Sequence, residues 1–360
     1  MKNKWLGLAC LLPLLSGCND ANSSISASSE TVSKQQIDTV ITNIKKLYPD
    51  ASNELKQHTL NTAIRAIENL VFVKGGSFEM GDFRAPCEIP SGTINRIDWE
   101  PDSQCFASPS STTTGANNIH KVTLDSYSMS TYETSFMDME WMRQINGLPV
   151  AADKMDGYHI IKGEVIERDS KEYKYLLTRR TNRATRTINW QQAKGYCQWL
   201  GNLTALPFDL PTEAQWEYAA RSRGKKLYYA TNNGYRQLLG SGYNNPSTGY
   251  RVNYTDEEAN SSTEIEAYIG RWSANPLGVY GMSNNISEWV NDWYSPTYYQ
   301  ESPEHNPLGP KTGKEKIMRD AGGATMTFAR IPNNIEEDRY YPSNSFRCSL
   351  QQETPATSRN

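Results

Sequence analysis

Residues 209–225 read DLPTEAQWEYAARSRGK, and this stretch decides how the rest of the chain is parsed. Thr212 is a natural helix N-cap and Gln215 stands three residues later, the spacing at which each side chain satisfies the other residue's backbone N–H. Trp216, Ala219 and Ala220 then supply the apolar part of a helix. Just upstream, Asn189-Trp190-Gln191-Gln192 caps another helix, whose apolar stripe of Trp190, Ala193, Cys197 and Leu200 is expected to end near Gly201-Asn202.

Outward from these helices the pattern changes to short strands and glycine turns. FVKGGSFEMGD (72–82) reads as two strands about a turn, and HKVTLDSYSMSTYETS (120–135) alternates as a strand. NPLGVYGMSNNISEWVNDWY (275–294) sets Glu288-Trp289 and Trp293 among turns. MRDAGGATMTFARIP (318–332) carries the pair Gly322-Gly323, and SNSFRCSL (343–350) closes the body. Before the body, Ile37, Val40, Ile41, Ile44 and Leu47 repeat at helical spacing. Pro49 stops the run, and Leu55, Leu60, Ile64, Ile67 and Leu70 resume it, a helical hairpin over 33–70 that covers the core or binds a partner.

The first residues belong to no core. Lys2 and Lys4 precede an apolar run from Trp5 to Leu15 that is too short to span a bilayer, and Leu15-Ser16-Gly17-Cys18 matches a bacterial lipobox. The expectation is a signal peptide over 1–17 and lipidation of Cys18. Asn19 in place of aspartate directs the chain to the outer membrane, facing the periplasm. A Ser-rich tether over 18–32 and a flexible tail over 351–360 complete the organisation.

A net charge of −3 argues against a nucleic-acid partner. Export leaves Cys87, Cys105, Cys197 and Cys348, an even number that reads as two disulfides with three connectivities. The four histidines are scattered, without zinc spacing. Two segments look inserted. Residues 83–119 hold Cys87 and Cys105. Residues 155–187 read as a hairpin turning at Lys162-Gly163 or Asp169-Ser170, followed by a solvated cluster of Arg179, Arg180, Arg183 and Arg186.

Taken in order, GGSFEMG, WQQAKGYCQW, LPTEAQWEYAAR, NPLGVYGMSNNISEWVNDWY, the glycine pair and FRC resemble the formylglycine-generating enzymes, or sulfatase-modifying factors, over about 71–350. The resemblance implies an α+β, irregular C-type-lectin-like fold with little regular secondary structure. It also implies a Cys197–Cys348 disulfide, which leaves Cys87 with Cys105. In active members two cysteines after the glycine pair bind copper(I), which activates oxygen to oxidise a substrate cysteine. Here Ala324 stands at the serine position, Thr327 at the first cysteine and Pro332 at the second. Neither is a thiolate donor, so copper is not expected. The family's calcium sites map onto Glu288 with the carbonyls of Asn284 and Ile286, and onto Asn253. One expected side-chain ligand falls on Gly281.

These observations lead to a lipid-anchored, non-catalytic periplasmic binding or accessory protein with a protein partner, a type VI secretion accessory or a toxin-neutralising protein. One alternative is an enzyme of altered chemistry, an oxidase or hydroxylase whose cleft draws on Arg319, Asp320, Arg330, Arg347 and Trp293. The other is a glycan-binding lipoprotein.

Overall fold

The structure is a computed structural model that describes residues 24–83, 114–150, 153–156, 159–187, 189–227, 229–232, 234, 269–270, 274–283, 285–319, 326–334 and 344–357. Helices α1 (Lys34–Leu47) and α2 (Asn53–Glu68) come first, each capped by a serine: Ser33, in a full capping box with Gln36, and Ser52. Val40, Ile44, Leu60, Ala63 and Ile67 are fully buried. They pack with α3 (Phe136–Ile145) and α5 (Trp190–Thr204) into one apolar cluster. The helix pair therefore covers the core. Truncating Leu60 to alanine there would cost about 2–5 kcal/mol.

Two four-stranded sheets carry the body. The first has the order β1 (Leu70–Val73), β4 (Tyr127–Ser130), β12 (Ser349–Leu350), β7 (Phe208–Asp209), all antiparallel. The second has the order β10 (Arg330–Asn334), β9 (Glu315–Arg319), β8 (Ser287–Trp293), β11 (Asn344–Phe346), with β11 parallel to β8 and the other pairs antiparallel. Strands β2 (Gly76–Met80) and β3 (His120–Leu124) form a separate hairpin-like pair. Helix α6 (Glu213–Ala220) packs against β2, β3, β8 and β9, and all eight of its residues are buried. Its capping box is the one read from Thr212 and Gln215. A short α7 (Tyr298–Glu301) precedes β9.

Several expectations are corrected. The tether does not extend to residue 32: Ile25 and Val32 are buried in the main core, and Ser26 exchanges hydrogen bonds with the Gln57 side chain. Two apolar residues in a Ser-rich run suffice to dock it. The tail also packs, as Gln36 donates to the Ala356 carbonyl and Gln351 pairs with Gln215. Helix α5 runs past Gly201-Asn202 to Thr204, because Ala205 takes the left-handed conformation that closes it.

Within 155–187, strands β5 (Asp153–Asp156) and β6 (His159–Val165) pair antiparallel with Asp156 opposite His159, so Lys162-Gly163 lies inside β6 and the hairpin turns neither there nor at Asp169-Ser170. Ser170 instead caps α4 (Lys171–Arg180), which buries Tyr173 and Leu176 against Phe136. Helix α3 had no counterpart in the sequence reading. Cys18, Cys87 and Cys105 lie outside the described residues.

Candidate functional site

The acids of the 209–225 motif explain the surroundings of the glycine-pair stretch. Glu213 and Glu217 sit one turn apart on α6 and reach across to β9 and β10. Arg319 donates to Glu213 and Glu217, both at 2.9 Å. Arg330 donates to both oxygens of Glu213 at 2.9 and 3.0 Å, and Arg221 donates to Glu217 at 2.8 Å. All five side chains are buried. Asp292 adds a third acid, accepting from the Glu213 backbone N–H at 2.8 Å; burial, reinforced by the Glu213 charge, pushes its carboxyl up to about 7. The aromatic rings complete the shell, with the Arg330 guanidinium 4.2 Å from the Tyr299 ring and Arg221 4.6 Å from Phe83. Three guanidiniums thus meet three carboxyls. Among these groups there is no nucleophile beside a base.

This cluster holds the strand pair where copper ligation was considered. Arg319 also donates to the Thr327 carbonyl. The Thr327 side chain is buried, and its hydroxyl donates to the Leu227 carbonyl at 2.6 Å. Phe328 beside it packs edge-on to Phe83, ring centres 5.3 Å apart. Pro332 lies opposite Ile317 on β10, an edge strand of its sheet, where the missing N–H is tolerated. A spent hydroxyl and a ring without a donor atom do not fit a copper(I) ion, which takes soft thiolates. Asp320, Gly322, Gly323 and Ala324 lie outside the described residues. The two cysteines among the described residues are joined, Cys197 to Cys348, with Cα atoms 5.6 Å apart, linking α5 to the approach to β12.

The remaining residues grouped by sequence do not converge. Trp293 faces Lys316, whose ammonium lies 4.0 Å from the Trp293 ring centre and 4.0 Å from that of Trp190. That ammonium donates to the Asn291 carbonyl at 2.7 Å, and burial pushes it down to about 8.

Arg347 belongs to a second buried cluster. It donates to both oxygens of Glu288 at 2.7 and 2.6 Å, and to the carbonyls of Ser130, Thr131 and Tyr280. Glu288 also accepts from the Trp216 indole at 2.9 Å. Both carboxylate oxygens are therefore engaged by nitrogen donors.

Gly281, where a calcium ligand was expected, has φ +71°, and a Cβ there would lie 2.3 Å from a Glu133 oxygen. Glu133 fills that space instead. Burial pushes its carboxyl up to about 7, Arg347 opposing and Glu288 adding to the shift. With both oxygens of Glu288 held by nitrogen donors and a glycine at the expected ligand position, the site does not fit a calcium ion. Ile286 is buried nearby, whereas Asn284 and Asn253 lie outside the described residues. Among the described residues no group of three or more His, Cys, Asp or Glu side chains could hold a metal ion.

Sequence reasoning missed Glu213, Glu217 and Glu133. The first two were signalled only by their spacing of four on a helix with no exposed face.

The description of the sulfatase-modifying factor enzyme 1-like domain matches residues 56–351. The chain belongs to that family. Among its relatives is the formylglycine-generating enzyme of Streptomyces coelicolor, 33% identical over 159 residues, which are 42% of this chain and 44% of that enzyme. The formylglycine-generating enzyme of Mus musculus is 26% identical over 237 residues, 59% of this chain and 60% of the enzyme. The chain thus spans less than two thirds of the length of either curated relative. A solved structure of PvdO from Pseudomonas aeruginosa aligns with 79% of this chain and 94% of its own, at 18% identity and a TM-score of 0.49.

Proposed function

We propose that this chain is a non-catalytic, lipid-anchored accessory or binding protein of the bacterial periplasm, built on a sulfatase-modifying-factor domain. The observation that carries the reading is the donor set beside the glycine pair. Thr327 spends its hydroxyl on a backbone carbonyl and Pro332 offers no ligand atom, so oxygen activation on copper has no thiolates to use. The buried Arg–Glu lattice around them supports a rigid platform, and loops on such a platform are where recognition is usually placed. The partner is a periplasmic protein, either a component of a type VI secretion apparatus or a toxin that this chain neutralises. The anchor is the diacylglyceryl group on Cys18. No described helix is long and apolar enough to cross a membrane.

Two measurements test this. Copper(I) supplied with a cysteine peptide should give no oxygen uptake above the protein-free control; stoichiometric copper with turnover would overturn the reading. Capture from envelope extracts should retain a specific protein, lost when residues 88–104 are excised. An unchanged or empty capture counts against a partner at that insertion.

A further inference from the structure

A cleft of about 540 Å³ opens between α2, α3 and the chain following β4, and Thr327 is not among the residues lining it. Its volume is in the range of sites that hold a small molecule or one large side chain. Trp141 forms one wall and is held by a stacked His58, ring centres 3.8 Å apart and nearly parallel. Arg65 and Asp138 line the cleft as a mutual ion pair. Tyr132 also lines the cleft, braced against Tyr280 at 4.9 Å.

Glu133 also lines this cleft and differs from every other charged group in it. One carboxylate oxygen accepts from the Asn285 side chain at 2.8 Å. The other is buried without a hydrogen-bond partner. The neighbouring cation, Arg347, is 3.8 Å from it and is committed to Glu288 at 2.6 Å. One guanidinium thus serves two buried carboxylates, and Arg65 is already neutralised by Asp138. Once Glu133 gives up its proton, near pH 7, one negative charge is left uncompensated among the described groups lining the cleft. A buried carboxylate oxygen left without a donor is costly, and a charged donor is the group that relieves it best. An aromatic ring beside it favours a cation further.

We propose that this cleft binds a primary ammonium group, carried by a lysine side chain or a small amine, with Glu133 as its counter-ion and Tyr132 as its aromatic wall. Anionic ligands are repelled by the surplus carboxylate, and a neutral sugar leaves it uncompensated. The assignment goes beyond the accessory-protein reading and stands without it, because it is measured on the isolated chain rather than by capture.

The test is calorimetric titration of the mature chain with n-butylamine, with Nα-acetyl-lysine methylamide and with the Nε-acetylated form of the latter. The first two should bind. The acetylated probe should bind at least about tenfold more weakly, equivalent to roughly 1.4 kcal/mol. Similar affinity for both amines indicates recognition of the ammonium alone, while a preference for the lysine derivative indicates a protein side chain. Glu133→Gln, which preserves the Asn285 hydrogen bond, should weaken both by a similar factor without lowering the melting temperature. Ala66→Phe, which fills the cleft from α2, should abolish binding and serves if Glu133→Gln folds poorly. The proposal is overturned by equal binding of the acetylated probe, by full affinity in either variant, or by no saturable heat from either amine.

Discussion

Two buried charge clusters adjoin at Trp216 of α6, whose ring lies 5.1 Å from the Arg319 guanidinium and whose indole donates to Glu288, and they are built to different balances. On one side Arg221, Arg319 and Arg330 meet Glu213, Glu217 and Asp292, so every guanidinium has a carboxylate within 3 Å. On the other, Arg347 alone stands between Glu288 and Glu133 and bonds only the first. Replacing a buried ion pair as a unit can be nearly neutral, whereas removing one partner strands a charge. The balanced cluster is therefore a fastener for β9 and β10. The unbalanced one keeps an unmet need for a cation.

Removing the single cation of the unbalanced side is the harshest way to separate the two. Arg347→Met should lower unfolding free energy by about 3–5 kcal/mol at pH 8, read from urea denaturation, because two buried carboxylates lose the guanidinium between them. At pH 5 part of that loss should return, since the buried Glu133 carboxyl keeps its proton there. Arg319→Met on the balanced side should cost somewhat less, about 3 kcal/mol, as Arg330 still holds Glu213 and Arg221 still holds Glu217. A larger loss for Arg319 than for Arg347 would refute the ranking.

The wild-type pH profile gives a smaller signal. Glu133 and Asp292 each keep a proton to about pH 7 when folded, well above the 4.5 and 3.8 of the unfolded groups. The folded chain then binds more protons between those limits, so stability falls as pH rises from about 4 to 7, by an order of 1–2 kcal/mol for each group, and levels off above. Lys316 acts in the alkaline range, gaining stability from about pH 8 to 10.5 because its folded form gives up its proton first. Thermal melts across pH 4–10 would show a minimum near neutrality; a maximum there would contradict both assignments. Smallest of all, Glu133→Gln should raise stability at pH 8 by about 1 kcal/mol and leave pH 5 unchanged.

Local signals in the sequence were read well where the physics is local. The capping box at Thr212 and Gln215, the helix pair from Ser33 and the strands around Gly75-Gly76 depend on residues a few positions apart, and all appear in the structure. Misreadings came where tertiary packing decided. Tyr173 and Leu176 make a helix of a stretch that alternates like a hairpin, by burying against Phe136. Ile25 and Val32 tie down a segment whose composition reads as disordered. The charge clusters were illegible for a different reason. Arg319 meets Glu213 across 106 positions, and Arg347 meets Glu288 across 59, with no local pattern linking them. The disulfide between Cys197 and Cys348 was legible only through family resemblance, since four cysteines allow three pairings.

The docking of residues 24–32 onto the helix pair would set a geometric limit on the proposed lipid anchor. With Cys18 acylated as proposed, six peptide units separate the anchored residue from Ser24, which precedes the buried Ile25. Even fully extended, six residues reach about 20 Å. The α1–α2 end of the molecule would then ride against the bilayer headgroups rather than sweep a wide periplasmic volume, and a partner would meet it at the membrane surface.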